Sequence, residues 1–382
     1  MENMHTTIPE IISTPDGLEQ LVRNYCNETL LAFDLEADSM HHYREKVCLI
    51  QVATSTEAVL IDPLVLPDIS SLASLLVDPA IRKVFHGADY DVRSMRRDFS
   101  VQVNNLFDTM IACQFLGEKE VGLAAVLKKR YGVDLDKRYQ KADWSKRPLE
   151  PAMIAYAAAD TSLLVPLYRQ LESELVAKGR LAWVEEESML LSQAAAAERD
   201  NKPLFYRFKG ADKMDPRTLA VLEELLQLRD EKARLSDRPP FKILSHETLS
   251  LLAEKKPRKN MDLFALSALS PNQTDRYGSE ILKAVGRGVS LADDRLPSFP
   301  RPARLRRDRL KIERCKKLKL WRETRSAEMG LYAGVLANNN LLEALSDLVP
   351  RNMEELEKVP ALRQWQRDEF GAELLAELGQ TC

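Results

Sequence analysis

Cysteine is scarce in this chain of 382 residues, and its few copies are placed as though no pairing were intended. Cys26, Cys48, Cys113, Cys315 and Cys382 are odd in number and scattered, with no CxxC pair. That pattern excludes a disulfide framework and a cysteine-based zinc site, and points to a reducing compartment. A long apolar run is also missing, so nothing is built to span a bilayer. The start, Met1-Glu2-Asn3-Met4-His5, carries no basic segment followed by an apolar stretch, so no export signal is expected. A cytoplasmic protein without membrane association is the expectation.

What is present describes a globular protein in several parts. Hydrophobic residues make up 45% and charged residues 30%, the balance of a soluble chain rather than a disordered one. The length exceeds one ordinary core, which implies two or three domains. The net charge of −3 hides an acidic first half and a basic second half. An acidic front can collect metal ions, and a basic back can hold phosphates.

The first half reads as α/β. Strand-like runs occur at Leu30–Leu35, Val47–Thr54, Ala58–Ile61 and Lys83–His86. Helical patterns occupy Ile69–Leu76, Tyr90–Arg97, Thr109–Leu116, Leu123–Tyr131 and Pro151–Leu175. Closely spaced early strands suggest an antiparallel meander, and later alternation with helices suggests a mixed sheet covered by helices.

Beyond about residue 200 the strand signal disappears and the chain repeats itself. A gapless shift of 93 residues pairs Leu225 with Leu318, Arg229 with Arg322, Pro257 with Pro350 and Leu263 with Leu356. It also pairs Gln273 with Gln366, Tyr277 with Phe370 and Gly278 with Gly371. Two copies of one small helical domain are expected, joined by the proline-rich stretch around Leu296–Pro302.

Three short motifs carry the chemistry. In Phe33-Asp34-Leu35-Glu36, strand alternation throws Asp34 and Glu36 to one face, where two carboxylates repel unless a cation lies between them. In Tyr156-Ala157-Ala158-Ala159-Asp160, the tyrosine and the aspartate share a helix face one turn apart. An Asp in mid-helix is otherwise an unfavourable choice. In Phe85-His86-Gly87-Ala88-Asp89-Tyr90-Asp91, a strand ends at glycine and a helix begins with two acids. Asp89 can serve as N-cap and leave Asp91 free. From the residues alone either acid can be the ligand.

The blocks FDLE, VFHGADYD, FDT, DKRYQKADWSKRPL and YAAAD resemble, in order and spacing, those of the ribonuclease D family within the DEDD exonuclease superfamily. The YxxxD form is similar to its tyrosine branch. The repeated module, with Leu228-Arg229-Asp230 and Asp237-Arg238-Pro239-Pro240-Phe241, resembles the HRDC domain. The resemblance runs from about residue 8 to 379. It implies a ribonuclease-H-like α/β exonuclease domain at 1–200, a first HRDC domain at 203–290, a linker at 291–303 and a second HRDC-like domain at 304–382.

Carried over by position, the resemblance implies that Asp34, Glu36, Asp91 and Asp160 hold two divalent ions, and it favours Asp91 over Asp89. Mg²⁺ suits such oxygen ligands, with Mn²⁺ the other candidate. Tyr156 completes the catalytic set. A phenol with an ordinary pKa near 10 is a poor base, so Tyr156 is expected to aim the attacking water. The implied activity is 3′→5′ removal of nucleotides from RNA with a single-stranded 3′ end, as 5′-mononucleotides, with tRNA precursors as substrate. A DNA exonuclease and a non-catalytic nucleic-acid-binding protein are the competing readings. No obligate protein partner is evident.

The remaining candidates are weaker. His86 is read as structural and Asp108 as an N-cap. His41 and His42 sit in the loop after the first strand, near a possible substrate path. Lys137, Arg138, Lys141, Lys146 and Arg147 are candidates for contact with the substrate backbone, or solvated loop charges. From Arg301 to Arg325 there are twelve Lys or Arg against three acids, a candidate phosphate-binding helix.

Overall fold

The computed structural model describes residues 9–66, 68–193, 202–300 and 308–379, which fall into two compact units. The first unit joins the α/β part to the second helical copy. The second unit holds the first helical copy together with the loop 38–46. The part of the basic stretch before Asp308, most of the expected linker's end, and Cys382 lie outside the described residues.

Among the described residues six strands build one mixed sheet: β1 (Ile11–Ile12), β2 (Leu30–Ala37), β3 (Val47–Ala53), β4 (Ala58–Ile61), β5 (Arg82–Phe85) and β6 (Leu106–Asp108). Their order is β1-β4-β3-β2-β5-β6. The pairs β2–β3 and β3–β4 are antiparallel, the expected meander, while β1–β4, β2–β5 and β5–β6 are parallel. The two short strands β1 and β6 extend the sheet at its edges.

Alternation along β2 sorts the sheet's faces. Leu31, Phe33 and Leu35 join Ile50, Val52 and Phe85 in a core covered by α1 (Pro15–Tyr25), α2 (Ser70–Val77) and α3 (Asp89–Phe99). The opposite face packs on α4 (Thr109–Leu116), α5 (Leu123–Tyr131), α6 (Pro151–Ser162), α7 (Leu164–Ala177) and α8 (Leu181–Ser192). The single helix expected over Pro151–Leu175 is two. It breaks at Leu163, because Pro166 has no N–H for the turn before it and its ring crowds the carbonyl four residues back.

The repeat is exact at the level of element starts. The first copy comprises α9 (Pro216–Leu235), α10 (Pro240–Ile243), α11 (His246–Lys255), α12 (Asn260–Leu266) and α13 (Pro271–Ser290). The second comprises α14 (Arg309–Met329), α15 (Ala333–Leu336), α16 (Asn339–Leu348), α17 (Met353–Glu357) and α18 (Gln364–Gly379), each beginning 93 residues later. Both copies end the third of these helices in the left-handed region, at Lys256 (φ 52°) and Val349 (φ 46°). Gly371 allows close approach, since a Cβ there would lie 2.8 Å from the Met353 methyl carbon.

Within the first unit the second copy shares a continuous core with the α/β part. Trp365 stacks on Trp183 with ring centroids 4.6 Å apart and meets Phe115 edge-on. Its indole N–H donates to Glu187 (3.0 Å), while Glu186 accepts the backbone N–H groups of Gln364 and Trp365 at the start of α18. Arg180 donates to the carbonyls of Phe115 and Met329, both at 2.8 Å. At the same register the first copy carries Asn272 in place of Trp365.

Candidate active site

Asp34 and Glu36 project from β2 on the face covered by α6, with Phe33 and Leu35 anchored in the opposite core. Asp160 arrives from the second half of α6. One carboxylate oxygen from each of Asp34, Glu36 and Asp160 falls within 4.8 Å of the other two. Three oxygen donors this close, with no cation of the protein interleaved among them, suit a hard divalent ion.

Asp91 and Asp89 part company in the structure. Asp89 is exposed and forms an ion pair with Arg93 one turn later along α3. Asp91 is only 7% exposed and lies near enough to raise the proton affinity of Asp34. Asp108 sets this turn. Its carboxylate accepts the N–H groups of Gly87 (2.9 Å) and Ala88 (2.8 Å) as well as that of Met110 (2.7 Å). One buried acid thereby caps α4 and aims the start of α3. Gly87 makes the turn with φ 76°, a value that disfavours any side chain.

Electrostatics mark the cluster as strained for proton-free carboxylates. Burial, then Asp91 and Asp160, push the Asp34 carboxyl well above the ordinary range. Glu36 is raised by burial, then by Asp34, Asp160 and Asp91. Burial takes Asp91 to about 7 and Asp160 to about 6, the latter against a lowering hydrogen bond from Tyr156. Like charges in a shared, poorly hydrated site produce this behaviour, and a bound divalent ion reverses it.

The phenol of Tyr156 donates to Asp160 and is held in its protonated form, mainly by burial and then by Asp160 and Glu36. Its ring packs against Tyr139 (5.8 Å between centroids) and Trp144 (6.0 Å). The loop supplying Trp144 is tied down by Arg147. That guanidinium donates to Asp62 (2.7 Å), to the carbonyls of Trp144 and Lys146 (both 2.8 Å) and to the Cys48 carbonyl (2.7 Å). Arg147 therefore anchors this loop and is not the solvated charge that was one of its two expected roles. Arg138 pairs with Asp136 in the same loop.

A cavity of about 490 Å³ opens over the carboxylates. Asp34, Glu36, Tyr156 and Asp160 form one wall, and the first turn of α5, His86 and Lys137 form others. His86 is held by its Nδ1 contact with the Thr109 hydroxyl (2.9 Å), which donates onward to the Phe85 carbonyl. That bonding agrees with a supporting role. Its imidazole is depressed below the usual range by burial. A separate cavity of about 560 Å³ lies beside Arg82 and Trp365. There Arg82 already bonds Glu185, and Glu186 already serves α18, so no chemistry converges on it.

His42 has its described contacts within its own unit. It lies in the second unit, where its Nδ1 meets Asp237 at 2.8 Å and the Tyr43 hydroxyl donates to Asp230. In α14, Arg314 donates to the Ser346 carbonyl, Arg322 to the Ala337 carbonyl, and Arg325 to Glu373. Much of the basic helix is thus engaged within its own domain.

One residue at the site was overlooked. Gln51 sits directly across the β2–β3 ladder from Asp34, fully buried, and neither atom of its amide has a hydrogen-bond partner among the described residues. A polar residue inside the run Val47-Cys48-Leu49-Ile50-Gln51-Val52-Ala53 was the available signal.

The chain is similar to known proteins along its length. A family model described as 3′-5′ exonuclease matches residues 9–176, and an HRDC domain model matches residues 218–285 and 312–378. Ribonuclease D of Pseudomonas paraeruginosa is 30% identical over 380 residues, covering 98% of this chain and 99% of that one. Among solved structures, Escherichia coli RNase D, an exoribonuclease involved in structured RNA processing, superimposes with a TM-score of 0.73 at 26% identity. That match covers 97% of this chain and 99% of that one. The catalytic core of RRP6 from Trypanosoma brucei gives a TM-score of 0.66 at 30% identity, covering 75% and 81%.

Proposed function

Because this chain belongs to the ribonuclease D family, it is a hydrolytic 3′→5′ exoribonuclease, and we propose that it trims 3′ extensions from tRNA precursors. The single observation carrying the site assignment is the convergence of Asp34, Glu36 and Asp160 within 4.8 Å at the floor of a cavity. In this reading Asp34, Glu36, Asp91 and Asp160 hold two divalent ions, Mg²⁺ by preference, with Mn²⁺ able to use the same oxygens. Bound there, the ions would supply an acidified water and neutralise charge on the departing 3′ oxygen.

The chain's own residues do the rest. Tyr156, kept protonated, holds the attacking water rather than taking its proton. Trp144 and Tyr139 fix the ring that carries this hydroxyl. Asp108 and Gly87 keep Asp91 turned toward Asp34. Residues 1–200 form the exonuclease domain in this reading, and 203–290 and 304–382 the two HRDC domains. No helix among the described residues is long and apolar enough to cross a membrane. A cytoplasmic location is part of the proposal, supported by Cys26, Cys48, Cys113 and Cys315, which form no disulfide among the described residues.

The test uses matched end-labelled RNA and DNA, with Mg²⁺, with EDTA, and with the Asp34→Ala variant. A ladder of single-nucleotide steps on RNA, abolished by EDTA and by the substitution, is the expected result. A ladder on DNA alone would overturn the substrate assignment. Release of 5′-mononucleotides from a tRNA precursor's 3′ extension, stopping at the mature end, tests the tRNA proposal.

A further inference from the structure

The two HRDC copies share every helix start, yet one corner has diverged in chemistry. In the first copy the end of α11 and the start of α12 read Glu254-Lys255-Lys256-Pro257-Arg258-Lys259-Asn260-Met261-Asp262-Leu263-Phe264, with net charge +2. The same register of the second copy, Asp347 to Glu357, has net charge −3. Lys255 becomes Leu348, Lys259 becomes Asn352, Met261 becomes Glu354 and Phe264 becomes Glu357. Pro257, Arg258 and Leu263 keep their counterparts, so the framework of the corner is retained while its surface changes sign.

The structure shows why the difference is not a packing requirement. Leu263 faces inward and is buried, as is its counterpart Leu356. Met261 and Phe264 are 80% and 60% exposed. Three residues apart on α12, they share one outward face. Lys255, Arg258 and Lys259 are exposed beside them, and none takes part in a salt bridge among the described residues. The loop is held instead through its backbone, the N–H groups of Arg258 and Lys259 donating to Asp262 at 2.8 and 2.9 Å. Two large apolar side chains left in water beside three cations are unusual for a surface with no partner.

We propose that the α11–α12 corner of the first copy is a contact surface for single-stranded RNA. Phe264 and Met261 offer apolar faces to unpaired bases, and Lys255, Arg258 and Lys259 meet the phosphates between them. Stacking of this kind tolerates any base, as a trimmer of varied 3′ ends requires. The assignment rests on the exoribonuclease reading for its substrate class. It also divides labour between the copies: Trp365 commits the second to the α/β part, and the first carries the strand.

Binding is measured on the full chain with a fluorescent unstructured oligoribonucleotide in EDTA, across a range of salt. The double variant Met261→Glu, Phe264→Glu installs residues that the second copy already accommodates at this register. It is expected to bind roughly ten-fold more weakly. The triple variant Lys255→Ser, Arg258→Ser, Lys259→Ser should flatten the slope of log affinity against log salt by about 2, near 0.7 for each lost phosphate contact. Both should hydrolyse a dinucleotide in Mg²⁺ at the parent rate, since that substrate needs only the catalytic cavity. Parental affinity and slope in both variants would overturn the proposal and leave the corner to a protein partner. A parent chain unable to hydrolyse any RNA would instead sink the exoribonuclease reading, with the binding assay still deciding this one.

Discussion

Gln51 stands directly opposite Asp34 on the β2–β3 ladder, sharing its face of the sheet, with both polar atoms of its amide buried and without a hydrogen-bond partner among the described residues. A group left unsatisfied costs stability unless something beyond its present contacts completes it. Beside a carboxylate cluster, that something can be a metal-bound water or the ligating oxygen of Asp34 in its loaded position. Gln51→Leu should therefore leave the metal-free melting temperature equal or higher, while lowering Mg²⁺-dependent turnover roughly 10- to 100-fold, the usual effect of losing a group behind a metal ligand. Unchanged turnover would reduce Gln51 to packing.

Tyr156 and Asp160 share one hydrogen bond, and separating their roles needs two readouts. Tyr156→Phe keeps the ring packed against Tyr139 and Trp144 and removes only the hydroxyl. Turnover should fall by about 100-fold, the scale of loss when a reacting group is misplaced. The rise in melting temperature caused by Mg²⁺ should persist. A variant that retains parental turnover would contradict water positioning by this phenol.

The acid cluster has a signature in pH. Each raised carboxyl takes up its proton more readily folded than unfolded. It therefore adds stability at pH below the ordinary carboxylate value near 4, and this stability is lost as pH climbs through about 6 for Asp160 and about 7 for Asp91. In EDTA, thermal stability should fall between pH 5 and 7.5, as roughly a few degrees per kcal/mol lost. Saturating Mg²⁺ should flatten that decline, and Asp34→Asn should melt higher than the parent in EDTA. A stability that rises with pH across this window in EDTA would contradict the strained cluster.

How far the sequence reaches is clearest at these same residues. Phe33-Asp34-Leu35-Glu36 and Tyr156 with Asp160 were legible because their spacing is local: strand and helix periods fix which side chains travel together. The duplicated module was legible because a gapless shift preserves its apolar positions. Asp89 and Asp91 could not be separated locally, since both fit the first turn of a helix. Their difference comes from Arg93 on one side and from Asp108, far along the chain, which grips the turn. The docking of Trp365 on Trp183 is a contact between distant segments with no periodic trace. The break at Leu163 was hidden by an uninterrupted apolar pattern running past Pro166.

That docking makes its own prediction. Trp365→Ala removes a stacked, hydrogen-bonded ring from a shared core, a change costing about 3–5 kcal/mol. Limited proteolysis should then release the second HRDC copy while the α/β part survives. Resistance equal to the parent would show that the shared core does not depend on this ring.

Arg147 distinguishes anchoring from substrate contact. Arg147→Ala should destabilise the protein by about 3 kcal/mol, as expected when one partner of a largely buried pair is lost. It should lower turnover through the loosened Trp144 loop, yet leave the salt dependence of RNA binding unchanged. A flatter salt slope would return Arg147 to the substrate.

The central claim is that one carboxylate cluster cuts RNA with divalent metal, and single-turnover release of 3′-terminal nucleotides in Mg²⁺ tests it most directly. Asp34→Asn, Glu36→Gln and Asp160→Asn, each verified as folded, should each lose at least about 100-fold in rate. Asp89→Asn should cleave like the parent. Parental cleavage by any of the first three variants, with 5′-mononucleotides still released, would contradict the account.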